Sequence, residues 1–183
     1  MAQAKSKKSA YTSRSTTKAA RTTRKQNAEG GFTASGTLIG HLQQLLVDMI
    51  ELTTQGKQAH WNVVGPNFRD THLVLDELVA DTRAFSDDLA ERMRALHGIV
   101  DGRSGTVSAT TSLEPFPAGE VSTADAIDLI TARIDTTVGT ARGMRDEVEE
   151  EDPVSADMLH GIIERLEQLS WLMAAENRTP AKK

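Results

Sequence analysis

The stretch HWNVVGPNFRDTHLVLDEL, residues 60–78, places two of the chain's five histidines, a tryptophan, a phenylalanine and three acids around one Gly-Pro break. Imidazole nitrogen and carboxylate oxygen are ligands for first-row metal ions. The chain has no cysteine, which excludes thiolate sites, iron–sulfur clusters and a cysteine nucleophile. With His72 at zero and a step of about 100° per residue, Asp76, Asp87 and Glu91 fall at about 40°, 60° and 100° around a helix. Leu75, Leu78, Phe85, Leu89, Met93 and Leu96 centre near about 260°, so the ligating groups share the face opposite the apolar stripe.

Along the axis, the pairs His72/Asp76 and Asp87/Glu91 are separated by about fifteen residues, roughly 22 Å. A metal–ligand bond is about 2 Å, so one helix cannot close both pairs on one ion. A second copy packed antiparallel about a two-fold axis can, and it generates two identical sites per dimer. Ala80 and Ala90 on that face permit close approach. His60 ends the preceding helix beside the break, from which it can reach back toward His72. Two imidazoles and three carboxylates suit Fe(II) at an open, redox-competent site. Trp61 adds an oxidisable ring able to donate an electron there.

Each residue alone has a plainer reading. His60 on an apolar face is an ordinary core histidine, and Arg83/Asp87 and Asp88/Arg92 at four-residue spacing are ordinary surface ion pairs. The joint spacing favours the metal site. No E-x-x-H motif occurs, which argues against the intrachain di-metal centre of other helical bundles and against a small-molecule oxidase. His160 is expected at the surface or in a structural role, and Trp171 in the core.

Four helices must position these groups. Leu38, Leu42, Leu45, Leu46, Met49 and Leu52 recur at three- and four-residue spacing, predicting a helix from about Thr33 to His60 or Trp61 that stops before Pro66. The second runs from about Phe68 to Leu96, with Gly98 as its stop. Residues 98–122 carry Gly102, Gly105, Pro115, Pro117 and Gly119 and read as a long connection with room for one short helix. Ser122, three residues before Asp125, caps a third helix to about Glu151; Asp152-Pro153 ends it. Ser155 then caps a fourth, with Met158, Ile162, Leu166, Leu169 and Leu172 at helical spacing to about Glu176. The expectation is an all-α, ferritin-like four-helix bundle whose long crossover joins the second and third helices.

The charge is divided. Residues 1–30 hold eight bases (Lys5, Lys7, Lys8, Arg14, Lys18, Arg21, Arg24 and Lys25) and one acid; the other thirteen bases face twenty-five acids, a charge of −12. Little in this basic segment is apolar, so it reads as a disordered arm, residues 1–32, ahead of the bundle at 33–177 and a short tail at 178–183. The arm is open to three readings: a DNA-binding tail, a transit peptide or a solubilising tail. No apolar run long enough to span a bilayer and no signal-peptide core are seen, so a soluble, cytoplasmic protein without membrane partners is expected.

The segment KQAHWNVVGPNFRDTHLVLDEL, followed by DDLAER, resembles the Dps family, the ferritin-like DNA-binding proteins of starved bacterial cells. The resemblance spans about Thr33 to Glu176 and leaves the arm outside. It implies a hollow dodecamer that oxidises Fe(II) at two-fold interfaces and stores ferric mineral, with no organic cofactor. The ligands it implies are His60, His72 and Asp76 of one subunit with Asp87 and Glu91 of its neighbour; the oxidant is hydrogen peroxide or oxygen. It also implies acidic three-fold pores, for which Asp152 and Asp157 in EVEEEDPVSAD are the candidates. It tips the arm toward DNA, and the protein toward the bacterial nucleoid. The competing function is a nucleoid-structuring protein with little ferroxidase activity.

Overall fold

The computed structural model describes residues 31–180. Its elements are α1 (Gly36–Asn62), β1 (Val63–Val64), α2 (Phe68–Ala95), α3 (Ser104–Thr110), β2 (Val121–Ser122), α4 (Thr123–Glu151) and α5 (Pro153–Asn177). Helix α1 begins where the Ser35 hydroxyl accepts the Leu38 amide at 3.0 Å, and its predicted apolar stripe is buried. It packs mainly on α2 and α4, and α4 packs on α5, so α1, α2, α4 and α5 form the expected four-helix bundle.

The crossover lies where it was predicted, between α2 and α4, and carries α3. β1 and β2 pair in parallel, Val63 with Val121 and Val64 with Ser122. Because β1 immediately precedes α2 and β2 immediately precedes α4, the crossover returns the chain from the far end of α2 to the end where it began. Polar side chains hold this connection. Asp48, fully buried on α1, accepts from the Thr111 hydroxyl (3.0 Å), the Ser112 amide (2.8 Å) and the Ser112 hydroxyl (2.7 Å). Arg133 of α4 donates to Gln55 and, at 2.8 Å each, to the carbonyls of Pro115 and Leu129. Burial lowers the Arg133 pKa, opposed by the charges of Glu114 and Glu51.

Four local expectations are corrected. At the end of α2 it is His97, with φ 65°, that adopts the left-handed conformation; the Gly98 amide bonds back to Met93 O at 2.8 Å and that of His97 to Arg94 O at 3.1 Å. Gly98 is needed for space, since a Cβ there would meet Ile39 and the Met93 carbonyl. Ser155 does not cap the last helix: α5 starts at Pro153, and Asp152 serves both neighbours, its amide bonded to Val148 O and its carbonyl to the Ala156 amide. Trp171 is 62% exposed, because Leu169 and Met173, one turn apart, carry the buried stripe and leave position 171 about 200° from Leu169. For the same reason Met173, not Leu172, completes that stripe.

Asp152 makes a measurable contribution at this corner. Its buried carboxylate is 2.6 Å from Arg92 and accepts the Ser155 hydroxyl. Burial pushes its pKa up, but the Ser155 and Arg92 hydrogen bonds and the guanidinium charge together outweigh that and hold it below the ordinary value. Asp152→Ala is expected to cost about 2 kcal/mol at neutral pH, less than a fully buried pair because Arg92 keeps some solvent. A depressed pKa gives stability above the ordinary carboxylate value that is lost as pH falls through the lowered one. Urea unfolding at pH 7 and pH 3 checks this: the gap between variant and parent should narrow in acid.

Candidate metal centre

His60 occupies the last turn of α1, and His72 and Asp76 are one turn apart on α2, hence on one face. The turn between the helices folds one over the other. Gly65 takes φ 126°, which other residues rarely adopt, and a Cβ there would lie 3.3 Å from the Thr123 hydroxyl. The result stacks the His60 and His72 rings with centroids 3.6 Å apart and planes at 28°. Phe68, one turn before His72, tilts against it at 5.2 Å. One ligand atom from each of His60, His72 and Asp76 lies within 4.8 Å of the other two.

Protonation follows from the hydrogen bonds. His72 Nδ1 is 3.2 Å from the His60 carbonyl oxygen, which can only accept. Nδ1 therefore carries the proton and Nε2 presents its lone pair. His60 is only 9% exposed, and neither ring nitrogen has an aligned hydrogen bond; Nε2 faces Asp76 Oδ2 at 3.0 Å as a charge contact. A buried imidazole without hydrogen-bond partners is costly unless something else binds it, and a cation held between His60, His72 and Asp76 would do so. The Asp76 pKa is lowered, first by the hydrogen bond from Lys57 and then by the close approach of the His60 ring, against the opposing effect of burial. Asp76 is thus ionised and ready for a cation.

The three donors leave the coordination of a first-row ion incomplete. Asp87 and Glu91 are exposed on α2, and among the described residues neither has a cationic partner within 4.0 Å. The anticipated Asp88–Arg92 pair is also replaced, since Arg92 turns to Asp152 and Ser155. A shallow groove of about 570 Å³, lined by Ala80, Ala84, Asp87 and Ala90 among others, runs beside this face. Trp61 is exposed next to His60.

The other candidates divide. Asp152 is buried and engaged with Arg92 and Ser155 inside the subunit, so its carboxylate is not open to a passage, whereas the Asp157 side chain is 88% exposed. His160 is at the surface and His41 contacts Glu147 at 3.0 Å. The DNA-binding candidates Lys5, Lys7, Lys8, Arg14, Lys18, Arg21, Arg24 and Lys25 lie outside the described residues. Sequence reasoning missed Lys57, whose Nζ is 2.6 Å from Asp76 Oδ1. The available signal was its position three residues before His60, on the same side of α1.

Residues 39–179 match the family model of the ferritin-like domain. The chain is 36% identical over 143 residues to the "Fine tangled pili major subunit" of Haemophilus ducreyi, covering 78% of this chain and 76% of that protein. It is 32% identical over 143 residues to the "DNA protection during starvation protein" of Agrobacterium fabrum, covering 78% and 88%. Among solved structures, Dps from Microbacterium arborescens in the high iron form aligns with a TM-score of 0.71 at 32% identity, over 80% of this chain and 98% of that one. DpsA14 from Streptomyces coelicolor aligns with a TM-score of 0.76 at 30% identity, over 81% and 92%. With these matches and the four-helix bundle, the chain belongs to the bacterial Dps branch of the ferritin-like family.

Proposed function

We propose that this protein is an iron-oxidising, iron-storing and DNA-protecting Dps subunit whose Fe(II) site is His60, His72 and Asp76, completed by Asp87 and Glu91 of a second copy. The observation that carries the reading is the buried His60 ring, without hydrogen bonds, stacked on His72 beside an ionised Asp76. Iron is the substrate. Two Fe(II) each give one electron to one hydrogen peroxide; with two protons, the O–O bond breaks to two waters and no hydroxyl radical is released. Oxygen is the alternative oxidant, and Trp61 stands close enough in sequence to supply an electron should the pair be incomplete.

The family relation supports a homo-oligomer that binds DNA. The dodecamer, its two-fold interfacial sites and a ferric mineral in its cavity belong to the proposal. So does the division into a basic arm at 1–32, a bundle at 33–177 and a tail at 178–183. The arm contacts DNA through its eight bases without sequence preference, and the protein works at the nucleoid. Among the described residues no helix is long and apolar enough to cross a membrane.

Mixed assembly tests the shared site. Subunits carrying His72→Ala with Asp76→Ala, and subunits carrying Asp87→Ala with Glu91→Ala, are each expected to oxidise Fe(II) slowly. Co-assembled in equal amounts, they should regain about one quarter of the parental rate, since half the dimers are mixed and each mixed dimer has one complete site. No recovery would place the active ligands within one subunit and leave Asp87 and Glu91 without this role.

A further inference from the structure

On the side of α2 turned away from His72, a cleft of about 240 Å³ opens between α2 and α5. Thr71 lines it, is only 3% exposed, and has a hydroxyl without a hydrogen-bond partner among the described residues. A buried hydroxyl left unsatisfied is costly, which points to a partner that binds there. Two further residues of the lining, Asp70 and Glu77, are seven positions apart, hence on one side of α2 and roughly 10 Å apart along its axis. Asn67 donates to Glu176 at 3.3 Å and Arg165 to Asp81 at 2.6 Å, so α5 runs antiparallel to α2 and Glu176 joins the Asp70 end of the cleft. Between these acidic ends the wall is apolar, built from Val74, Leu172 and Met173. Among the described residues no base lines the cleft; Arg165 reaches Glu77 only at 3.4 Å and is held chiefly by Asp81.

We propose that this cleft binds a linear aliphatic diamine or polyamine. One ammonium lies between Asp70 and Glu176 and donates to the Thr71 hydroxyl, the hydrocarbon chain rests on Val74, Leu172 and Met173, and the other ammonium meets Glu77. The span of roughly 10 Å suits a four- or five-carbon chain with a hydrogen bond of about 2.8 Å at each end. A single metal ion does not fit. Among the described residues only His60, His72 and Asp76 bring three ligand atoms within 4.8 Å of one another, so Asp70, Glu77 and Glu176 are too dispersed to share an ion. The apolar wall likewise suits a hydrocarbon body and gives nothing to a hydrated cation. An occupant in this position ties the first turns of α2 to the end of α5.

The probes are 1,4-diaminobutane and 1,5-diaminopentane, titrated calorimetrically into the full-length assembled protein freed of nucleic acid, with butylamine as the single-headed control. The diamines are expected to saturate one site per subunit and to bind roughly tenfold or more tightly than butylamine, the scale on which one added charge partner moves an ionic equilibrium. Asp70→Asn and Glu77→Gln, both at exposed positions, should each bring diamine affinity down toward that of butylamine. Thr71→Val should weaken diamine binding several-fold while raising the urea midpoint of the amine-free protein, because it removes an unsatisfied buried hydroxyl with little change of shape. Equal affinity for diamines and butylamine, or parental affinity in both Asp70→Asn and Glu77→Gln, overturns the site and leaves only diffuse counter-ions on an acidic surface. So does parental affinity in Thr71→Val, since the hydroxyl is what marks the cleft.

Discussion

Fe(II) oxidation by the His72→Ala, Asp76→Ala double variant is expected to slow by more than roughly 100-fold, since disturbing only the outer partners of metal ligands already costs about 10–100-fold. The fold should survive. Both side chains are partly exposed, the neighbouring core positions Leu75 and Leu78 are untouched, and alanine is the strongest helix former. The measurement is anaerobic loading of Fe(II) on the purified oligomer, addition of peroxide or oxygen, and ferric absorbance with time, with size confirmed by chromatography. The His60 ring should keep its place through α1, yet it would lose the second imidazole and the carboxylate that together define a cation's position. Equal slow oxidation in parent and variant would mean that the cluster is not catalytic, leaving DNA binding as the principal activity.

Removal of residues 1–30 is expected to abolish DNA retention while leaving iron oxidation intact. The deleted segment carries eight bases and one acid, and what remains has a charge of −12 per subunit, which repels a duplex. Non-specific binding by such a segment is driven by release of counterions, so the parent should lose roughly 1000-fold or more in affinity between about 50 and 200 mM salt, and several arms on one particle add avidity. Mobility shift over a salt series reads both effects. Retention of DNA by the truncated protein would move the contact to the bundle; loss of oxidation as well would end the separation of roles.

The periodic parts of this structure were readable in advance because each is specified by residues close in the chain. Leu38 to Leu52 gave α1, and Ser122 with Asp125 gave the start of α4, where the Ser122 hydroxyl accepts the Asp125 amide at 3.1 Å. His60, His72 and Asp76 were found because a Gly-Pro break between two helices leaves few places for their side chains. Asp48, Arg133 and Gln55 were not found: each is a single polar residue with a partner some sixty residues or more away, so periodicity says nothing of them. Trp171 was misplaced because aromatic character was weighed above its position off the Leu169/Met173 line, and Lys57 passed unnoticed because it resembles any solvated helix lysine until Asp76 is seen opposite it. In the acidic run, composition could not distinguish Asp152, which holds a helix corner together, from the exposed Asp157.

The two-residue pairing of Val63–Val64 with Val121–Ser122 also has a bearing on how the molecule is made. The chain segment carrying both histidines and Asp76 is complete well before residue 121 is synthesised, and α1 and α2 can meet as a local hairpin. The bend between them is pinned only when the far end of the crossover arrives, and closing a loop of that span is among the slower events of folding. An emerging polypeptide therefore carries His60, His72 and Asp76 for some time without their final mutual geometry. Late closure delays a redox-competent pocket until the rest of the subunit is there to contain what it does.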